Sequence, residues 1–296
     1  MKALALTDHG VLYGAIEFYQ KAKAAGIKPI IGVEAYLAPN GRLNKRAKID
    51  ERPHHLVLLA KNRTGYQNLI YLTSQAHLEG FYYKPRIDFE LLENHHEGLI
   101  ALTACLQGEI PKAVKNNQLD KAENLIKQYK DFFGEGDFYL ELQHHPNLEH
   151  QERVNQQLIE LSNKLNVPLV ATNDVHYLNS TDADPQDVLL CIQTKKKQSD
   201  PDRISYLGED YSLRSPKEMA SFFPTVPEAI KNTEKIAEQC NLEIEFGKVL
   251  LPHFETPAGQ SADDYLRELC FAGLKRRFGI ELKPEYLNQE MKDEKA

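Results

Sequence analysis

The chain has 296 residues, of which 42% are hydrophobic, a formal net charge of −7 and four cysteines. That size suits one large domain or two ordinary ones with a sizeable core, and the negative charge excludes a uniformly basic nucleic-acid sleeve while leaving room for a local basic groove or a metal-bridged phosphate. Cys105, Cys191, Cys240 and Cys270 form no C-x-x-C pair, so neither a disulfide framework nor a zinc ribbon is indicated; no signal peptide or long apolar run appears, so the expected location is cytoplasmic, with no membrane partner.

Ala3–Leu6 is apolar without alternation, the pattern of a strand covered on both faces. It meets Thr7-Asp8-His9-Gly10, after which Ile16, Tyr19 and Ala22 recur at helical spacing up to a stop at Gly26. The next apolar run, Pro29–Leu37, carries Glu34 among residues that otherwise read as strand core, and a charge there is costly unless paired or bound to a cation. Gly41–Pro53 is polar and mostly basic and reads as a solvated loop, with a phosphate-contacting loop as the alternative. His54-His55 leads into the short buried strand Leu56–Ala60. A helix follows to about His77, whose place near a helix C-terminus reads as structural. Tyr82, Tyr83 and Pro85 mark an aromatic connection before a short helix around Phe89–Glu93.

The pattern then repeats. Leu99–Thr103 is a strand ending at Ala104-Cys105, and Gly108–Phe133 is helical with an interruption near Asn116-Asn117. Phe138–Leu142 is a strand followed by Gln143-His144-His145-Pro146, and Glu149–Leu165 is an amphipathic helix. Val167–Thr172 is a strand that runs into Asn173, Asp174 and His176. Alternation along it puts Asp174 and His176 one pleat apart on the same side, a two-ligand claw suited to Zn²⁺ or Mn²⁺, with Thr172 and Asn173 as supporting hydrogen-bond partners. Strands alternating with helices predict a parallel sheet with helices outside it, doubly wound or closed into a barrel. His9, Cys105, His145 and the Asp174/His176 pair all follow a predicted strand end, while Glu34 and His55 lie within or beside one. Such ends converge on one face, so these residues read together as a metal site.

TDHG with its following helix, GVEAY, HHLVLLAKN, LTACLQGEI and ATNDVHYL, in this order, resemble the successive motifs of the polymerase and histidinol phosphatase (PHP) domain. LVLLAKN-x-TGYQNL, QDVLLCIQTKK and YSLRSPKEMASFF resemble in particular the form of that domain in the N-terminal region of bacterial DNA polymerase III alpha subunits. The resemblance implies an α/β fold, a distorted (β/α)7 barrel with up to three metal ions at one end. It makes His9, Glu34, His55, Cys105, Asp174 and His176 the ligands, with Glu34 bridging two ions. His55 and Cys105 complete one of those two sites, Asp174 joins the other, and His9 and His176 serve a third. His54 replaces His55 if the strand register shifts by one. Asp8, Thr172, Asn173 and His145 are the candidates to support the ligands from behind.

The family's first motif, two histidines in H-x-H spacing with a further ligand, should precede Ala3, so the expectation is a barrel lacking its first strand and a half-built cluster. From Leu251, LPHFETPAGQSADDYLRELCFAGLKRRFG resembles the connection toward a polymerase palm, with Asp263–Phe278 helical and Tyr265, Leu266, Leu269, Leu274 and Phe278 on its apolar side. The expected domains are therefore 1–250, the PHP domain, and 251–296, a linker and the start of the palm region, whose Mg²⁺-binding carboxylates would lie beyond Ala296. The parent protein implied is a DNA-directed DNA polymerase, a nucleotidyltransferase. Its partners would be primer-template DNA, a proofreading exonuclease subunit and a sliding clamp. For the domain itself the readings are a metal-dependent 3′–5′ exonuclease or phosphoesterase, a scaffold binding the proofreading subunit, or a freestanding histidinol phosphatase.

Overall fold

A computed structural model describes residues 1–249 and 251–281. The chain divides into two compact units, the first running Met1–Ile244 and the second from Glu245 onward. Of the segment expected to begin the palm region, residues 282–296 lie outside the described residues.

The first unit is organised around β2 (Lys28–Leu37), nine of whose ten residues are buried, as a strand sandwiched on both faces requires. It pairs in parallel with β1 (Ala3–Leu6) and antiparallel with β3 (His54–Ala60), and the two-residue β4 (Arg86–Ile87) adds to it in parallel. From β3 the sheet continues through β5 (Leu99–Leu102), β6 (Phe138–Gln143) and β7 (Leu169–Thr172). Helices α1 (Ala15–Ala24), α2 (Arg63–Leu78), α3 (Phe89–Asn94), α4 (Glu109–Lys115), α5 (Leu119–Phe133) and α6 (Gln151–Leu165) fall between the strands. α7 (Ala183–Thr194), α8 (Pro216–Phe222) and α9 (Pro227–Gln239) follow them. Side chains cap the helix starts where the sequence supplies them: Asn62 accepts from the Gly65 N–H and Asp88 from the Leu91 N–H.

The result is a curled, distorted α/β barrel, open between β1 and β7, each of which has one neighbour among the described residues. The sheet is not all parallel, which corrects the expectation from strand–helix alternation. β3 runs antiparallel to both β2 and β5. The physical reason is the connection before it: residues 38–53 contain no helix, so the chain turns back beside β2 instead of crossing over it. The β5–β6 and β6–β7 pairs, joined through α4–α5 and α6, are parallel as expected.

Strand alternation sorts the core into two layers. Val33, Ala35 and Leu37, with Leu56 and Leu58, face the helices and share a cluster with Ile126 and Tyr129 of α5 and Val154 and Leu158 of α6. Ile30, Val57, Leu59, Ile100, Leu102, Tyr139 and Val170 share the barrel interior, where Ile236 and Cys240 close one end. Moving along the same interior positions toward the other end, the side chains turn polar: Glu34 and Tyr36, His55, Glu141 and Gln143, Thr172. That change of chemistry within a single face marks the site. In the second unit α10 (Ala262–Phe278) forms where the sequence predicts a helix, capped by Ser261 through the Asp264 N–H, and none of its residues is buried.

Candidate metal centre

Three chain segments meet at Glu34. The loop after β1 is stitched to β2 by the Glu34 N–H donating to the Asp8 carbonyl and the Gly10 N–H donating to the Glu34 carbonyl, both at 3.0 Å, which brackets His9. Gly10 has φ +67°, and a Cβ there would stand 2.8 Å from Pro85, so glycine is needed for both conformation and space. His55 enters from β3, whose register sets it opposite Tyr36. Its Nδ1 lies 2.6 Å from Glu34 Oε1, while His9 Nδ1 lies 3.8 Å from Glu34 Oε2. One ligand atom from each of His9, Glu34 and His55 falls within 4.8 Å of the others.

Cys105 follows β5 on a turn whose Ala104 adopts φ +60°, an unfavourable conformation for alanine. A hydrogen bond from the Ala104 N–H to Glu141 Oε2, at 2.9 Å, holds it there. The Cys105 Sγ lies 3.6 Å from His55 Nδ1, and the His55 N–H donates to the Gln107 carbonyl at 3.2 Å, so this turn and the start of β3 are fixed together.

Asp174 and His176 do come together, but not as a pleat. β7 ends at Thr172, and Asp174 takes a left-handed φ of 49°, a conformation that aspartate tolerates better than most residues. The tight turn brings His176 Nδ1 within 2.7 Å of the Asp174 carbonyl and 3.8 Å of its Oδ1. The His176 N–H donates to the Tyr211 carbonyl, and its ring is walled by Tyr206 at 4.5 Å and Tyr211 at 5.2 Å. On its open side it stands 6.4 Å from the His9 ring.

The other candidates divide. Thr172 donates to Glu141 Oε1 at 2.5 Å and Asn173 to the Ser212 carbonyl at 2.5 Å, so both brace the turn. Asp8 points elsewhere: its Oδ2 is the nearest atom, at 3.1 Å, to where a Cβ on Gly14 would stand, at the start of α1. His54 lies on the helix-facing side of β3 by alternation, buried, and its Nδ1 has no partner among the described residues. His145 is 2% exposed, lies tilted against Tyr211 with ring centres 4.5 Å apart, and has no partner for either ring nitrogen among the described residues. Burial pushes its pKa down to about 4.

Sequence reading missed Glu141. It is buried, accepts from Ala104, Gln143 and Thr172, and burial pushes its carboxyl up to about 7. The signal was present, since FYLEL buries a glutamate in a strand just as PIIGVEAYL does.

The donor set fits a divalent cation. Glu34 is buried, and Asp174 and the Cys105 thiol are half-buried close enough to feel its charge. Burial raises Asp174 to about 6 with Glu34 adding to the effect, and burial together with the two carboxylates pushes Cys105 well up. Burial alone would also raise Glu34, but the His55 hydrogen bond and the His9, His55 and His176 charges outweigh it and leave the carboxyl lowered. Acceptors gathered in such excess are costly without a cation to satisfy them, and carboxylate, imidazole and thiol side chains are donor types that a divalent cation takes.

Comparison with known proteins matches residues 1–145 to the PHP domain. The DNA polymerase III alpha subunit of Borreliella burgdorferi is 46% identical over 94% of this chain, that of Treponema pallidum 44% over 94%, and that of Thermus aquaticus 46% over 93%. The chain spans about a quarter of the length of each, 23–24%. No helix among the described residues is long and apolar enough to cross a membrane. Residues 1–145 therefore match the PHP domain, in a chain similar over nearly its whole length to part of DNA polymerase III subunit alpha.

Proposed function

We propose that the barrel end is a metal-dependent phosphoesterase, a 3′–5′ exonuclease acting on DNA ends, within a protein whose remaining length synthesises DNA. The observation that carries this reading is the placing of His9 and His55 on either side of the buried Glu34 carboxylate. His9, Glu34 and His55 would hold one part of a metal cluster, with Cys105 beside His55 and the Asp174/His176 turn completing the ring. When bound, divalent ions of this kind activate water and neutralise charge on a phosphoryl oxygen. The chain's own part is to fix the donors. Glu34 is held by backbone hydrogen bonds on both edges of β2, His55 by the Gln107 carbonyl, and His176 by the Tyr211 carbonyl. Tyr36 and Tyr206, pushed up to about 12 by burial, stay neutral and act as walls and hydroxyl donors.

Zn²⁺ or Mn²⁺ is the proposed metal, with Mg²⁺ serving a separate polymerase palm. Primer-template DNA, a proofreading subunit and a sliding clamp are the proposed partners, and the cytoplasm the proposed location. Close relatedness to polymerase subunits supports this reading over a freestanding histidinol phosphatase. The test is removal of a mismatched 3′ nucleotide from a labelled oligonucleotide with added Mn²⁺ or Zn²⁺, comparing the chain with its Glu34→Gln and Asp174→Asn variants. Each variant should lose at least about a hundredfold in rate, as expected when a metal is misplaced. A measurable rate that neither substitution alters would overturn the assignment, and no rate at all, with the substitutions lowering only thermal stability, would favour the scaffold.

A further inference from the structure

We propose that Lys84 and Tyr83 form a rim that receives the unpaired 3′ end of a single nucleic-acid strand, Lys84 taking a phosphate and Tyr83 a base. This deepens the phosphoesterase reading and rests on it for the location of the bond that is cut.

The rim is rigidly placed. The Tyr82 N–H donates to the Lys84 carbonyl at 3.1 Å, closing the turn, and Pro85 packs against Gly10 in the loop that carries His9. Arg86 enters β4 opposite Tyr36, and its fully buried guanidinium donates to the carbonyls of Gly80, Asp50, Arg42 and Asn44. Both ends of the turn are therefore anchored, one on the candidate metal centre and one on the basic loop.

Lys84 is exposed, and its Nζ lies 5.3 Å from the centre of the Tyr36 ring. That ring is stacked on His9 at 5.7 Å and meets His55 edge-on at 5.4 Å. The ammonium thus sits one ring away from two of the proposed ligands. Arg42, Arg46 and Arg86 are already engaged, Arg42 with Asp88 and Glu79, Arg46 with Asp50, and Arg86 with carbonyls. Lys84 has no ion pair among the described residues, so its charge is available to an anion arriving at the cluster.

Tyr83 is 66% exposed at φ +59°, a conformation that bulky residues rarely adopt, and its ring meets Tyr82 edge-on at 4.8 Å. The backbone holds an exposed aromatic ring at the residue next to Lys84. A small phosphate ester would engage Lys84 alone, whereas a nucleotide chain supplies both a phosphate and a π-face. A base within a duplex is already stacked and paired, so the rim favours a frayed or mismatched end.

The test measures binding of a fluorescent single-stranded oligothymidylate, with hydrolysis-resistant phosphorothioate 3′ linkages, to the full chain in Mn²⁺. Lys84→Gln should weaken binding about tenfold and lower the salt dependence by about one counterion, while Lys84→Arg restores affinity. Tyr83→Asn, which suits the left-handed backbone, should weaken it about tenfold and Tyr83→Phe should not. A blunt duplex should compete poorly. Binding of the single strand that neither Lys84→Gln nor Tyr83→Asn weakens, or no binding by the unaltered chain, overturns the proposal. Hydrolysis of bis(p-nitrophenyl) phosphate by the unaltered chain separately tests the phosphoesterase reading. If the substitutions weaken strand binding while no ester is hydrolysed, the rim stands and that reading falls.

Discussion

Glu34 Oε1 lies 2.6 Å from His55 Nδ1 as a diagonal pair across the β2–β3 ladder, in which His55 faces Tyr36 and Glu34 faces Val57. Diagonal neighbours on one sheet face are held by the ladder and not by side-chain packing alone. Glu34→Gln therefore keeps the shape while removing the charge that two imidazoles face. Elemental analysis should show bound Mn or Zn falling at least about tenfold, with the far-ultraviolet circular dichroism unchanged.

Metal affinity should fall with pH. Asp174, raised to about 6 chiefly by burial, takes up a proton as the pH drops through that value, and a cation must then displace it. Titrating Mn²⁺ at pH 7 and pH 5 should show about tenfold weaker binding at the lower pH, and Asp174→Asn should flatten that difference.

His145 gives a stability prediction of the opposite character. Its pKa falls from 6.5 to about 4 on folding because burial disfavours the charged ring. Between those values the unfolded chain binds the extra proton, so His145 destabilises the fold progressively as pH falls from 6.5 to 4 and has no such effect above 6.5. His145→Phe keeps the ring contact with Tyr211 and abandons no hydrogen bond among the described residues. Denaturant melts at pH 5 should show it about 2 kcal/mol more stable relative to the unaltered chain than at pH 8.

Arg86 donates to four carbonyls from a fully buried position. Arg86→Met fills the volume and leaves those acceptors without their donor, which should cost about 3–5 kcal/mol in a denaturant melt.

Gly10→Ala forces a side chain into positive φ and against Pro85. It should cost about 2 kcal/mol in a denaturant melt.

Much of this was legible in the chain. Short apolar runs gave the strands nearly in place, and Glu34 stood out because a charge in a buried run needs a partner. The antiparallel β3 was not legible, because alternation of strands and helices carries no direction; the helix-free residues 38–53 were the available clue. The Asp174/His176 pair was found for an incomplete reason, since strand periodicity cannot foresee that β7 stops at Thr172. His55 and His54 were separable only by the register against Tyr36. Tyr206, Tyr211 and Lys84 lie far along the chain from the residues they flank, and no spacing rule reaches them.

The six candidate ligands span the chain from His9 to His176, joining the first strand of the sheet to the turn after the last. An ion held among them would act as a removable staple between the loop after β1 and the turn after β7, which no strand ladder joins among the described residues. Occupancy would then appear as added stability: at a free-metal concentration about a thousandfold above Kd, linkage adds about 4 kcal/mol to the folded state. Chelation would loosen the segments that carry His9 and His176 before the inner strands open.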